Sequence, residues 1–308
     1  MVYFFLSYLF KNYSLLDYLK VGSKYLLISV ILIALIAAIR FFYFNDTTNF
    51  MDYDNYPYFG NVYRYTGYFN SPNMVISVVC FATLFLLNSE LANRSYLILL
   101  AGFIVCLSTI SKEFLIYGSA LLVILLQKKI KKSILFLMFS IIGLISIFLT
   151  LFVICSGKNC DKINRVLGPP VSLLEDVSVR PTSYYYLREF GWNQFLESPL
   201  FGVGMGNFQE RTKEVVKRGV NKCATFDYEA CDGYVGVASQ IGFSYFVFLL
   251  LIALQLALAL KGQNTNPLFF ASTVFIVYMI FEAQLIGPVH FRHYWINLAV
   301  FNALIHRK

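Results

Sequence analysis

The stretch Ser198–Phe208, SPLFGVGMGNF, sets Gly202, Gly204 and Gly206 two apart among apolar residues, behind Pro199. Glycines allow backbone amides to approach a phosphate, as in the GxGxxG turn that joins a strand to a helix and cradles a pyrophosphate. The spacing here is GxGxG and the neighbouring segments are strongly apolar, so the nucleotide loop fails on both spacing and context. What remains is a tight turn where backbone approaches backbone or bilayer closely. Cys155, Cys160, Cys223 and Cys231 form the second group whose residue type carries chemistry. A zinc site needs paired CxxC spacing or a nearby histidine, which they lack. A disulfide is open to them in an oxidising compartment, with a connectivity that sequence does not decide. Third is GPVHFRHYW, in which His290, Arg292 and His293 precede Tyr294 and Trp295. It reads as an interfacial hairpin anchored by its aromatic residues, or as the source of an imidazole for a nearby cavity. Glu282 and Gln284 stand within or near the apolar run before it, and an acid inside a membrane span is a functional candidate.

The elements that position these residues follow from composition. Of 308 residues, 58% are hydrophobic and 14% charged, where soluble domains average roughly 45–50% apolar and about 25% charged. The sequence predicts an all-α polytopic membrane protein of about eight transmembrane helices with one long helical outer loop. Apolar length places the spans at Leu26–Phe42, Met74–Leu87, Tyr96–Ile110, Phe114–Leu126, Ser133–Ile154, Tyr234–Leu260, Leu268–Leu285 and Tyr294–Leu304. The pair around Ser111 and Lys112 reads as a broken or shallow hairpin. Residues 1–43 hold an N-terminal segment and the first span, 44–72 a first outer loop, 73–154 membrane helices, 155–233 the long loop and 234–308 the C-terminal membrane helices. The segment Val2–Phe10 lacks the basic head of a cleavable signal.

The net charge of +8 is distributed as the positive-inside rule requires, which makes nucleic acid an unnecessary partner. Lys128, Lys129, Lys131 and Lys132 mark the cytoplasmic side. Lys20, Lys24, Arg94, Lys261, Arg307 and Lys308 fall on that side if the spans alternate. Residues 44–72 and 155–233 are then outside, periplasmic or extracellular. The longer loop mixes acids and bases, is punctuated by Pro169, Pro170 and Pro181, and carries an amphipathic helix around Tyr184–Leu196. Tyr184, Tyr185, Tyr186 and Trp192 suit the membrane surface. A loop of this length is usually functional.

Four pieces carry a family resemblance. WNQFLESPLFGVGMGNF (Trp192–Phe208) resembles the outer-loop signature of the O-antigen ligase and O-antigen polymerase family, a helix followed by Pro-Leu-x-Gly-x-Gly-x-Gly-x-Phe. RYTGYFNSPN (Arg64–Asn73) resembles that family's Arg-x-x-Gly-x-Phe-x-x-Pro-Asn start of a span. STISKEF (Ser108–Phe114) stands where the family commonly has Ser-Arg-Gly. CDGYVGVASQIG (Cys231–Gly242) resembles its His-Asn-x-Tyr opening of the span after the loop. The pieces occur in family order across Arg64–Gly242. Two departures stand out: Cys231 occupies the His position, and Ser111-Lys112-Glu113 replaces Ser-Arg-Gly. Family members also carry several further N-terminal spans, so the chain is expected to be a shortened member.

The resemblance implies glycosyl transfer at the outer face of a bacterial inner (cytoplasmic) membrane. The donor is a glycan on a polyprenyl diphosphate lipid. The acceptor is a second lipid-linked glycan for a polymerase, or lipid A core for a ligase. A chain-length regulator is an implied partner. Lipid diphosphate is already a good leaving group, so neither nucleotide nor metal nor other cofactor is expected. Arginine forks suit its stabilisation, and the implied diphosphate-binding residues are Arg64, Lys112, Arg180 and Arg188, with Arg211 a further cation of the loop. Lys112 alternatively pairs with Glu113 at the hairpin tip. An acceptor hydroxyl benefits from a general base. Cys231 supplies only a thiol there, so Asp232 or Glu229 is the implied proton acceptor. The missing His favours polymerase over ligase. A polysaccharide or lipid-carrier transporter would show internal repeats or paired broken helices, which the sequence lacks; an inactive fragment of the enzyme is the other alternative.

Overall fold

The computed structural model describes residues 15–44, 51–56, 60–67, 72–87, 96–111, 113–126, 132–156, 171–174, 177–181, 183–204, 207, 233–261, 266–282 and 292–305. Among these residues there are ten helices and five short strands, an all-α architecture that carries two small antiparallel sheets. In chain order the elements are α1 (Leu15–Phe44), β1 (Met51–Tyr56), β2 (Gly60–Tyr65), α2 (Pro72–Leu87), α3 (Tyr96–Ser108), α4 (Glu113–Leu126), α5 (Lys132–Leu151), β3 (Phe152–Ser156), β4 (Val171–Leu174), β5 (Val177–Pro181), α6 (Ser183–Glu197), α7 (Gly233–Ile241), α8 (Ser244–Lys261), α9 (Pro267–Glu282) and α10 (Arg292–Ile305).

Every apolar run of the sequence folds as helix, with three corrections. The first helix begins at Leu15 rather than Leu26, because Leu15–Tyr25 holds no proline and its lysines are good helix formers. The run Ser133–Ile154 leaves the helix at Leu151; Phe152, Val153 and Ile154 favour the pleated surface of a strand and pair with β5. The run Tyr234–Leu260 is two helices, interrupted at Gly242, whose φ of 68° ends α7 in the left-handed region. One described helix is long and apolar enough to cross a bilayer, Tyr18–Phe44 of 27 residues. Six further apolar helical stretches run 10–17 residues, shorter than the roughly 20 that cross hydrocarbon.

Two compact units divide the chain. The first comprises residues 1–143, 262–279 and 291–308. Its centre is α2, whose side chains from Val75 to Leu86 are all buried. Phe81 packs edge-on against Phe275 of α9 at 5.3 Å, and Phe269 stacks on Phe301 of α10. Buried polar groups meet inside this core as pairing requires. Ser272 Oγ donates to Asn297 Oδ1 (2.9 Å) and Asn297 Nδ2 donates back to Ser272 O (3.2 Å). The β1–β2 hairpin, in the segment read as a plain outer loop, pairs Asp52 with Arg64 and Met51 with Tyr65.

The second unit comprises residues 144–261 and 280–290. Strand order β3-β5-β4 builds its sheet, also within a region read as loop and helix. Its helical core gathers Phe195 of α6, Ala238 of α7 and Tyr245 of α8, with Tyr234, Val237, Ile241, Phe246, Phe248 and Leu249 around them. The expected helix at Tyr184–Leu196 is present as α6. Its buried side holds Phe190 and Phe195 and its exposed side Tyr185 and Trp192, so aromatic residues occupy both faces.

Candidate functional site

The four distinctive segments fold as two interlocked pairs, one in each unit. In the first unit, β2 ends with Tyr65 and Thr66 buried, and Gly67 turns the chain at φ 56° with the Tyr65 hydroxyl close by. Arg64, half-buried, precedes this turn. Beyond it α2 starts at Pro72, a residue whose fixed φ and missing N–H suit a first helical position. Asn73 follows and accepts a hydrogen bond on Oδ1 from Ser111 Oγ at 2.7 Å. Ser111 Oγ also hydrogen-bonds the Glu113 carboxylate. A hydroxyl carries one proton, so Ser111 donates to one of these two acceptors at a time. Glu113 is only 4% exposed and opens α4, where a carboxylate meets the positive end of the helix.

The α3–α4 connection that presents this trio is sharp. Thr109 and Ile110 donate backbone bonds to Cys106 and Leu107, and Phe114 to Ser111. Ile110 sits at φ 45°. A β-branched residue there is a steric outlier, worth about 1–2 kcal/mol of strain. Lys112 itself lies outside the described residues.

In the second unit, the glycine stretch clasps the end of α7. Val203 N–H donates to Ser239 O (2.7 Å), Gly204 N–H to Gln240 O (3.0 Å) and Phe243 N–H to Pro199 O (2.7 Å). The first two bonds are accepted by carbonyls that a helix C-terminus leaves without an intrahelical partner. Two glycines make the approach possible. A Cβ on Gly202 (φ 70°) would stand 2.5 Å from Ile241 N, and one on Gly242 would stand 2.7 Å from Gly202 N. Ser198 Oγ donates to Gly202 O (2.8 Å) and Asn207 Nδ2 to Val203 O (2.9 Å), holding the turn from both sides. Over Ser198–Gly204 the close approach is thus backbone to backbone.

Beside this clasp, an open cleft of about 340 Å³ is lined by Leu151, Tyr185, Arg188, Glu189, Trp192 and Val235. Residues 185, 188, 189 and 192 follow the i, i+3, i+4, i+7 spacing of one helix face. Tyr185 also packs on Phe152 of β3 at 5.7 Å, and Trp192 on Phe195 at 5.5 Å.

Of the residues implied as site groups, the structure places Arg64 in β2 and Arg188 in the cleft. Arg180 is paired through its backbone with Val153 in the β3–β5 ladder. Glu229, Cys231 and Asp232 lie outside the described residues, immediately before α7, and so do Arg211, Cys160, Cys223 and His290. The described part of Cys155 is its backbone in β3, opposite Ser178.

One expectation is corrected. His293 does not sit in an interfacial hairpin: it lies in the first turn of α10, buried, with Nε2 2.6 Å from Ser77 Oγ. The Phe81 and Phe275 rings flank it, each with its centroid at 6.0 Å. It is an internal tie between α2 and α10. Sequence reasoning passed over Asn73, Ser111 and Glu113 as a connected set. The signal was that Asn73 closes one distinctive segment while Ser111 and Glu113 stand in another. It also passed over Glu189 as a neighbour of Trp192, which helical spacing alone would have shown.

No protein-family model matches the chain, and no curated protein matches it either.

Proposed function

We propose that the chain is a polytopic membrane glycosyltransferase of O-antigen polymerase or ligase type, acting on polyprenyl diphosphate-linked glycans at the outer face of the bacterial inner membrane. The observation that carries the reading is the pairing of its four family-like segments. Arg64–Asn73 meets Ser108–Phe114 through Asn73, Ser111 and Glu113, and Trp192–Phe208 meets Cys231–Gly242 through the glycine clasp. Segments so far apart in sequence that fold into contact behave as parts of one device in each unit.

Membrane placement is supported by side chains that water would disfavour. Leu35, Ile36, Ile39 and Phe42 of α1, Leu137, Ile141 and Leu144 of α5, and Leu250, Leu251 and Leu254 of α8 are all exposed. Contiguous apolar surface of this kind marks contact with lipid or a partner. The reading places about eight helices in the bilayer, tilted or thinning it where they are short.

In the proposed reaction an acceptor sugar hydroxyl attacks the anomeric carbon of the donor. The new C–O bond forms as the bond to the diphosphate oxygen breaks, and the electron pair leaves with the polyprenyl diphosphate. The resemblance assigns cations of both units to that leaving group, Arg64 and Lys112 in the first and Arg180 and Arg188 in the second. Asp232 takes the acceptor proton, with Glu229 as its neighbour and the Cys231 thiol in place of the family's imidazole. The trio around Ser111 holds the hairpin that carries Lys112. Polymerase is favoured over ligase because Cys231 stands where a ligase would use His.

The test is complementation. The chain is expressed in a polymerase-null and, separately, a ligase-null strain, and the surface polysaccharide is run on a gel. Polymerase activity restores a ladder of repeats in the first strain; ligase activity restores attachment of existing polymer in the second. Failure in both, with folded protein in the inner membrane, contradicts the proposal.

A further inference from the structure

The helices of the first unit end at different heights on the side where Asn73 and Ser111 meet. A Cβ on Gly102 of α3 would stand 3.3 Å from a Leu27 methyl of α1 and 3.5 Å from a Val79 methyl of α2, so these three residues share one level. From it, at 1.5 Å per residue, α1 rises about 25 Å to Phe44, whereas α2 rises about 10 Å to Pro72 and α3 about 9 Å to Ser108. The far end of α1 lies on the same side as the hairpin tip. Phe41 packs edge-on against Tyr63 at 5.2 Å, and the strand that holds Tyr63 leads to Gly67, whose added Cβ would stand 3.5 Å from Val75 at the start of α2. The helix α1 therefore overtops the Asn73–Ser111 contact by about 15 Å. Ser108 falls level with Ile33 of α1, about midway between Lys24 and Phe42.

The upper part of α1 has the surface of a helix in hydrocarbon. Leu32, Leu35, Ile36 and Ile39 are exposed at the i, i+3, i+4, i+7 spacing of one helix face. Exposed Phe42, Tyr43 and Phe44 close that stripe, as aromatic residues do at a membrane boundary. On α3 the exposed stripe is Leu97, Leu100, Ile104 and Leu107, and it stops at the tip. With 13 and 14 residues, α3 and α4 are each about 20 Å long, against roughly 30 Å of hydrocarbon. Arg94 precedes α3, and Lys128, Lys129, Lys131 and Lys132 follow α4, so both helices are anchored on the positively charged side.

Non-helical backbone at such a depth is either covered by protein or lines a water-filled cavity. The surroundings of the tip favour water. Ser108 and Ile110 are exposed, and Asn73 and Ser111 are half-buried. The strand β1, Met-Asp-Tyr-Asp-Asn-Tyr, pairs on one side with β2 and, among the described residues, with no other strand. Acids are costly against lipid, and an open strand edge does not occur there.

We propose that α3 and α4 form a re-entrant hairpin, which enters and leaves the bilayer on the side of Lys128–Lys132 and turns near its mid-depth, and that Asn73 and Ser111, backed by Glu113, floor a water-filled recess that opens to the opposite face beside β1 and β2. The recess admits small hydrophilic solutes and excludes lipid. This rests on the membrane placement proposed above; for glycosyl transfer it sets the Ser111 turn below the outer headgroups rather than level with them.

Depth is read by fluorescence in liposomes made with lipids brominated at shallow or deep acyl carbons. The full chain carries Trp192→Phe and Trp295→Phe, which remove both native tryptophans, and one of Leu107→Trp, Phe42→Trp or Tyr96→Trp, all at exposed positions. Leu107→Trp is expected to be quenched more strongly by deep bromines, and Phe42→Trp and Tyr96→Trp by shallow ones. Shallow quenching at Leu107→Trp overturns the proposal. Quenching at none of the three removes the membrane placement and the recess with it. Water access is read with Ile110→Cys in sealed spheroplasts, with the label located by peptide mass so that the six native cysteines do not interfere; Ser108→Cys carries the same prediction if Ile110→Cys does not fold. A small charged methanethiosulfonate added outside is expected to label the site, and a maleimide on a long polyethylene glycol to be excluded. No labelling by the small reagent, or equal labelling by both, overturns the recess. None of these readouts needs a substrate. Transfer by a chain whose Leu107→Trp reads shallow sinks the recess alone, and an intact recess without transfer sinks the transferase reading alone.

Discussion

Replacing Gly202 with alanine should unfasten the clasp between the glycine stretch and α7. Two costs are set by the geometry. The residue is held at φ 70°, where an L side chain costs about 1–2 kcal/mol. Its new Cβ would also stand 2.5 Å from Ile241 N, far inside contact distance, so the turn must back away from the helix end. That withdrawal breaks the 2.7 Å bond from Val203 N–H and the 3.0 Å bond from Gly204 N–H, each worth about 1 kcal/mol net. The sum is roughly 3–4 kcal/mol. The control is Gly22→Ala, a helical position with nothing within 4 Å of the added Cβ, where alanine should stabilise by about 0.5–1 kcal/mol. Thermal unfolding of both variants in the same detergent measures the difference, and amide exchange at Val203 and Gly204 locates it. Equal midpoints for the two variants, or unchanged protection at those amides, would refute the close-approach argument.

Other consequences follow from single contacts. Ser77→Ala removes the 2.6 Å bond to His293 between two buried side chains and should lower stability by about 1–3 kcal/mol, read as a lower unfolding midpoint. Ile110→Gly relieves a left-handed β-branched residue whose side chain is largely exposed; the midpoint should rise, by about 1 kcal/mol in stability. Asn73→Ala takes away the acceptor of the 2.7 Å bond from Ser111 and should speed amide exchange at Phe114, whose N–H closes the α3–α4 turn. Asp232→Asn should abolish transfer while leaving the unfolding midpoint in place; unchanged turnover would remove Asp232 from the mechanism.

The helices were legible because apolar length is a coarse and additive signal. Each of the eight runs holds a helix over most of its described length, and α6 appeared where the apolar spacing around Tyr184–Leu196 placed it. The strands were not legible. Met51–Tyr56 and Gly60–Tyr65 are rich in tyrosine, asparagine and aspartate, which gives no clean alternation, and their pairing is a cross-strand property. Phe152–Ser156 was absorbed into an apolar run because a short β-branched stretch cannot be told from a helix end by hydropathy. The site divides in the same way. The role of Gly202 was readable from glycine's own stereochemistry, although the partner helix was not, and Gly242, which ends α7, was read as the interior of one continuous span. The buried placement of His293 was hidden because sequence sees Tyr294 and Trp295 beside it, while its actual partner, Ser77, lies on α2. Glu113 looked like the mate of Lys112 by adjacency; its contact with Ser111 forms across a turn in which Ile110 takes a positive φ.

The most direct test of glycosyl transfer uses the full chain, purified and reconstituted in liposomes with a polyprenyl diphosphate-linked repeat unit as the only substrate. Products are separated by mass. The proposal requires free polyprenyl diphosphate to appear in step with a lipid-linked glycan of two or more repeats, at a rate that falls with Asp232→Asn. Intact donor at the end of the incubation, with the chain folded by its unfolding midpoint and with lipid A core also offered as acceptor, would contradict the assignment as a transferase.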